Sequence, residues 1–375
     1  MTIDRGRVIS PGRVNLLGEH VDYNDGVVLP AAIDRSVTIH FHRTTDPIVT
    51  LYARDLGEEC SFDPHHLESK IDINGSPLPA WVLYPAGVIW NLLNYALPVK
   101  GFSADFHANI PIGAGLSSSA AVEVGFAVVC EALGGWQLDR MTLARICQEA
   151  EREYVGVNCG LMDQFACACG VDGHVVMLDT RSLLYRPVPL PLDTRIVIAD
   201  STLRRALIDS GYNQRRSDCD QAVAYFQTLD PSVRALRDVS LDLFLTAESE
   251  LPPGVFRHAR HVVEEIARVN EAIRLLEKDD AEDFGRLMFA THDSLRDLYE
   301  VSRPELDTLV EIAAKLDGCL GARLTGAGFG GCTVNLVRKD HVDDFVRQLG
   351  ELYTTKTGLL AEIFVTMPSQ GAHLS

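Results

Sequence analysis

The sequence predicts an α+β protein of two closely packed domains, and three observations predict it. Its 375 residues exceed the size at which one hydrophobic core usually keeps growing. Residues 101–133 read in succession as a strand, a glycine turn and a buried helix. The C-terminal half sets four helix candidates ahead of short apolar strand candidates, with a second glycine turn between them. A hydrophobic content of 46% is ample for two cores.

In chain order, residues 11–26 crowd charge, amides and glycine into what reads as a short polar turn. Residues 26–53 then alternate apolar and polar side chains, most clearly at Val37-Thr38-Ile39-His40-Phe41, and read as strands. A helix with an aromatic and aliphatic face is predicted over 81–97, a strand over 101–110 and a buried helix over 120–133. An amphipathic helix over 138–154 precedes Gly156 to Gly160 and another short helical start. Residues 175–178 and 195–199 read as strands. Pro187, Pro189 and Pro191 interrupt the stretch between them and place a domain boundary near 190, giving units 1–190 and 191–375. Helices are predicted near 213–228, 255–277, 281–297, 304–316 and 340–353, with strands at 319–325, 331–337 and 361–366. Nothing in the spacing suggests a solenoid repeat.

With 34 basic and 52 acidic side chains the net charge is -18, which disfavours a general nucleic-acid surface while allowing a local basic pocket. No basic segment leads into a secretory apolar region, and no apolar run is long enough to span a bilayer, so the cytosol is the default and no membrane partner is expected. Nine cysteines are scattered, and Cys167-Ala168-Cys169 lacks the spacing of thiolate metal pairs, so reduced, buried thiols are expected. His65-His66, without a nearby cysteine framework, reads as polar surface.

The segment Pro111-Ile112-Gly113-Ala114-Gly115-Leu116-Ser117-Ser118-Ser119-Ala120-Ala121 is suited to phosphate. Gly113 and Gly115 permit close backbone approach, and the helix start offers unpaired N–H groups at its positive end. Ser117, Ser118 and Ser119 can cap those donors or reach a nucleotide-bound cation. The second turn, Thr325 to Gly331, has four glycines in six residues, which suits either a tight hairpin or close packing against a ligand or the first loop.

Between Pro11 and Gly26, Glu19 and Asp22 can accept hydrogen bonds from sugar hydroxyls and His20 can donate or accept; local capping and salt bridging account for the same residues. Asp163, in Gly160-Leu161-Met162-Asp163-Gln164, can cap a helix or take a proton. Paired with Arg13 it makes a catalytic unit, the carboxylate orienting a hydroxyl while the guanidinium offsets phosphate charge. Glu151 and Ser119 can jointly supply oxygens to Mg²⁺, although Glu151-Arg152-Glu153 alone reads as a solvated helix face.

Gly12 to Tyr23, Pro111 to Ala121, Gly160 to Gln164 and Leu324 to Gly331, in that order, closely resemble the motifs of the galactokinase family, a branch of the galactokinase, homoserine kinase, mevalonate kinase and phosphomevalonate kinase superfamily. The resemblance covers nearly the whole chain. It implies an N-terminal domain similar to the second domain of ribosomal protein S5 and a C-terminal domain with a ferredoxin-like element. ATP and sugar would meet at the domain interface. It implies transfer of the ATP γ-phosphoryl group to the C1 hydroxyl of galactose, with Asp163 as base and Arg13 as its charge-stabilising partner. Sugar contacts fall on Glu19, His20, Asp22, Gly160, Asp163 and Tyr212, nucleotide contacts on Gly113 to Ser119, and Mg²⁺ on Ser119 and Glu151. A monomer is expected. Val21 stands where family members often have Thr, and Ala327 where they often have Gly. A kinase for N-acetylgalactosamine or a catalytically silent sugar sensor are the rival readings.

Overall fold

The computed structural model describes residues 3–111, 113–203 and 208–375, the side chains of 208–210 excepted; Ile112 of the glycine loop lies outside them. Among the described residues the strands form three sheets. The largest runs, edge to edge, His373–Leu374, Arg5–Asn15, Pro30–Arg43, Phe102–Ala108, Val49–Ala53 and Glu58–Phe62. A four-stranded antiparallel sheet in the C-terminal half has the order Cys319–Leu324, Cys332–Arg338, Thr194–Asp200, Glu362–Thr366. A small sheet joins Val27–Val28, His174–Asp179 and Tyr185–Pro189.

Helices Leu83–Asn94, Ser118–Gly134, Arg140–Ala150 and Met162–Cys169 pack together on the large sheet. Ser118–Gly134 is apolar apart from Ser118, Ser119, Glu123 and Glu131 and is buried nearly all round, Ala120, Val124, Phe126 and Ala127 being wholly inaccessible. One apolar core runs through both halves, from Val8 to Ala372, and a smaller one lies where Ala313, Phe345 and Leu349 meet the four-stranded sheet. The two-domain α+β architecture expected from sequence is the one found. Residues 373–374 leave the C-terminal half and return to the sheet formed by the N-terminal half.

Three local expectations are corrected. Residues 11–15 are not part of a turn: they end the strand Arg5–Asn15, which pairs with Pro30–Arg43 through a register shift between Pro11 and Arg13. The shift bends the strand against the glycine loop, where a Cβ on Gly12 would lie 2.7 Å from the Leu116 carbonyl oxygen. The prolines at 187 and 189 do not break regular structure; they lie in the edge strand Tyr185–Pro189, where a missing N–H is tolerated. The helix predicted over 138–154 starts at Arg140, capped by Asp139 through Thr142 N, and its last turn, Glu151–Val155, widens into a π-helix. Such bulges mark functional sites in helices, and this one carries Glu151.

Candidate active site

A cavity of about 390 Å³ opens between the halves. Arg13, Glu19, His20, Asp22, Glu151, Gly160, Asp163 and Tyr212 all line it, together with Gly326 and Ala327 of the second glycine turn. Residues from 13 to 327 therefore converge on one space.

Asp163 is in the first turn of Met162–Cys169, whose N-cap position is Leu161, so it is not a cap. Its carboxylate is held at both oxygens. Arg13 donates from Nε to Oδ1 at 2.7 Å and its Nη2 lies 2.7 Å from the same oxygen, while Ser117 Oγ donates to Oδ2 at 2.6 Å. Asp163 keeps 32% of its side-chain surface accessible against 6% for Arg13, so the charge pair is sealed on the arginine side and open on the cavity side. Burial alone would lower the Arg13 pKa; the Asp163 and Glu19 carboxylates outweigh it and leave the guanidinium more basic than usual.

Arg13 also fastens the glycine loop. Its backbone N–H donates to Leu116 O at 3.1 Å and Nη1 donates to Gly115 O at 2.7 Å. Gly113 and Gly115 have φ of 72° and 83°, the left-handed region that glycine permits. Ala114 and Leu116 point into the core and pin the loop. Ser117 precedes the helix Ser118–Gly134 with φ 58° and makes no side-chain cap, because its hydroxyl goes to Asp163 instead. The capping reading therefore fails at Ser117 and Asp163 together.

Glu151 is 6% exposed while Arg152 and Glu153 are at the surface, so the solvated-face reading fails for the one residue that matters. Its carboxylate accepts from Gln164 Nε2 at 2.6 Å, and the Cys159 thiol and Ser119 hydroxyl lie near enough to favour its charged form. Burial, chiefly, pushes its pKa up, with Asp163 adding to the shift.

In the turn after the first strand, His20 has φ 62° and is 5% exposed. Its ring shares a hydrogen bond of 2.9 Å with Tyr23 Oη, which in turn meets Tyr299 Oη at 2.6 Å. Burial depresses the His20 pKa to about 3, so the ring is neutral at physiological pH. Tyr212, on helix Ile208–Leu229, stands with its ring 5.8 Å from that of His20. Glu19 is 2% exposed: Asn15 Nδ2 and Gly326 N–H donate to its two oxygens, and the buried Arg323 Nη2 lies 3.1 Å away. It ties the second glycine turn to the first strand, and a carboxylate with about four acceptor sites retains little for a ligand. Asp22 is only half-buried at the cavity, yet burial, with the nearby Asp163 and Glu19 charges, raises its pKa to about 7. A Cβ on Gly160 would lie 1.8 Å from Asp22 Oδ2, so the carboxylate's position depends on glycine there.

Sequence reasoning missed Tyr23 and Tyr299 as supports of His20, Arg323 as the anchor of Glu19, and Gln164 as the donor to Glu151. Tyr23 and Gln164 each adjoin an assigned residue, which is a usable signal; Tyr299 and Arg323 carry none.

Comparison with known proteins bears on this arrangement. Residues 4–43 match the galactokinase galactose-binding signature, 84–171 the GHMP kinases N terminal domain and 272–355 the GHMP kinases C terminal model. The galactokinase of Roseiflexus sp. (strain RS-1) is 44% identical over 364 residues, 97% of this chain and 91% of that one. The chain belongs to the galactokinase family. The galactokinase of Fusobacterium nucleatum is 40% identical over 98% of this chain and 94% of its own length. The crystal structure of Lactococcus lactis galactokinase complexed with galactose superposes with a TM-score of 0.93 at 36% identity, covering 99% of this chain and 95% of that one. A mevalonate kinase shares the fold at 22% identity and a TM-score of 0.68, covering 96% and 98%.

Of the two departures from galactokinase motifs, Val21 has no exposed surface and is not among the cavity-lining residues. It packs against Gly26, where an added Cβ would come within 2.7 Å of it, so the change is one of packing. Ala327 does line the cavity.

Proposed function

We propose that this member of the galactokinase family transfers the γ-phosphoryl group of ATP to the C1 hydroxyl of α-D-galactose, releasing galactose 1-phosphate and ADP. The observation that carries the reading is Asp163, a cavity-facing carboxylate gripped by Arg13 and Ser117 between the sugar-facing turn and the start of the glycine-loop helix. Galactose is the sugar present in the Lactococcus lactis relative.

After accepting from Ser117, Asp163 Oδ2 retains acceptor capacity for the C1 hydroxyl. As that hydroxyl oxygen bonds to the γ-phosphorus, the bond to the β–γ bridging oxygen breaks, its electron pair leaves with ADP, and the hydroxyl proton passes to Asp163. Arg13 aims Asp163, and its hold on Gly115 sets the loop where backbone N–H groups face the phosphates. Asp22, His20 and Tyr212 orient the ring. Ser119 and Glu151 present two adjoining oxygens, a set that suits Mg²⁺ because this ion takes few protein ligands beside phosphate oxygens and water. Among the described residues no cluster of three or more His, Cys, Asp or Glu side chains could hold a metal alone. When bound, Mg²⁺ offsets charge on the phosphates.

In the same reading residues 1–190 bind sugar and ATP while 191–375 close the cleft with Tyr212 and the turn at 326–327, and the protein works as a cytoplasmic monomer. No helix among the described residues is long and apolar enough to cross a membrane. Product analysis over a sugar panel with Mg²⁺ and ATP tests the reaction: galactose 1-phosphate is the expected product. Preferential turnover of N-acetylgalactosamine moves the specificity, and binding of both ligands without transfer makes the chain a sensor.

Sugar affinity should depend on pH through Asp22. Sugar hydroxyls donate to the carboxylate form, so binding expels a proton wherever the free side chain holds one, below about pH 7. Affinity for galactose therefore rises from pH 5.5 to 7 by roughly tenfold and levels above. Calorimetry in buffers of differing ionisation enthalpy reads the released proton, and Asp22→Asn abolishes the slope. For the unliganded fold the sign is opposite: the raised pKa adds stability that is fully present below the ordinary carboxyl value and is lost as pH rises through 7.

A further inference from the structure

We infer that Gln164 is a positioning residue for the cation ligand Glu151, and that Glu123 holds Gln164 in place. The inference rests on the kinase reading of the site. Gln164 directly follows Asp163, but where Asp163 faces the cavity Gln164 is wholly buried. Its amide nitrogen gives one proton to Glu151 Oε2 at 2.6 Å and the other to Glu123 Oε2 at 2.9 Å. Glu123 is also without exposed surface, four residues beyond Ser119 on the glycine-loop helix and so on the same helix face. One amide thus joins the helix of the phosphate loop, the π-turn that carries Glu151 and the helix that carries Asp163.

Packing alone is a poor account of this trio. Gln164 Oε1 and Glu123 Oε1 are buried with no hydrogen-bond partner, and hydrocarbon of equal volume would carry no such penalty. Orientation of a metal ligand accounts for it better, since a carboxylate tied at one oxygen cannot swing away from the cation it is to meet. With Oε2 fixed by Gln164, Glu151 stays beside the Ser119 hydroxyl.

The test titrates full-length Gln164→Met, Gln164→Asn, Glu151→Ala and unaltered protein with Mn²⁺ in saturating ADP without sugar, following free Mn²⁺ by electron paramagnetic resonance. Met removes both donors at similar volume; Asn keeps the polarity but is too short to bridge two carboxylates, and serves if the Met protein does not fold. Both should bind Mn²⁺ about tenfold more weakly, with galactose affinity changed less than twofold. Unchanged Mn²⁺ affinity beside a weakened Glu151→Ala overturns the positioning role and leaves the ligand assignment standing. Unchanged affinity in Glu151→Ala overturns both, while product analysis judges the kinase reading separately. Equal loss of Mn²⁺ and galactose affinity marks a structural role and also overturns the inference.

Discussion

Asp163→Asn is expected to lower kcat by about 10³-fold while leaving the melting temperature within a few degrees of the unaltered protein. The amide oxygen can still accept from Arg13, and its NH₂ can donate to Ser117, whose hydroxyl turns to accept, so the local network survives. What disappears is the proton acceptor. Because the C1 hydroxyl proton moves only as the phosphoryl group is transferred, the loss falls on kcat rather than on the KM for galactose. Steady-state kinetics with a parallel thermal melt separates the outcomes: loss of folded protein in proportion to activity would make Asp163 a structural residue.

The second large effect is expected at Arg13, where activity and stability should fall together. Arg13→Met removes the partner of Asp163 and the grip on Gly115 at once. We expect kcat down by about 10²-fold and unfolding free energy down by about 2 kcal/mol, less than for a fully buried pair because Asp163 is a third exposed and water screens what remains. Arg13→Lys keeps the charge but gives a single ammonium in place of three separate donors, and should recover stability more than turnover. Denaturant unfolding beside kinetics distinguishes the two contributions, and an Arg13→Met protein with normal kcat would remove the arginine from the reaction altogether.

The glycine-serine loop and the Asp163 segment were legible because their chemistry is written in adjacent residues. The elements that escaped are those settled by partners distant in the chain. Pro11-Gly12 reads locally as a turn, yet its strand is made by Pro30–Arg43 on one side and His373–Leu374 on the other. Glu151-Arg152-Glu153 reads as surface, and only Gln164 on another helix explains why its first member is inside. Ser117 has every local mark of a cap; a carboxylate 46 positions away accepts its hydrogen bond instead. Glu19 reads locally as able to meet a sugar or to form a salt bridge, and the partners that make the salt bridge, Arg323 and Gly326, arrive from over 300 positions downstream. Local propensity yields to tertiary contact at the places where the site is assembled.

The pairing of His373–Leu374 with Arg5–Asn15 also guards a sheet edge. Arg7 Nη2 reaches Ser375 Oγ at 2.6 Å across 368 positions, among the longest closures the chain makes. With His373–Leu374 unpaired, the strand bearing Arg13 would have one neighbour and present an open edge, the kind of surface on which chains mispair. Residues 373–374 thus shield Val8 and Ile9, on the same strand whose other end carries Arg13 and, through it, Asp163.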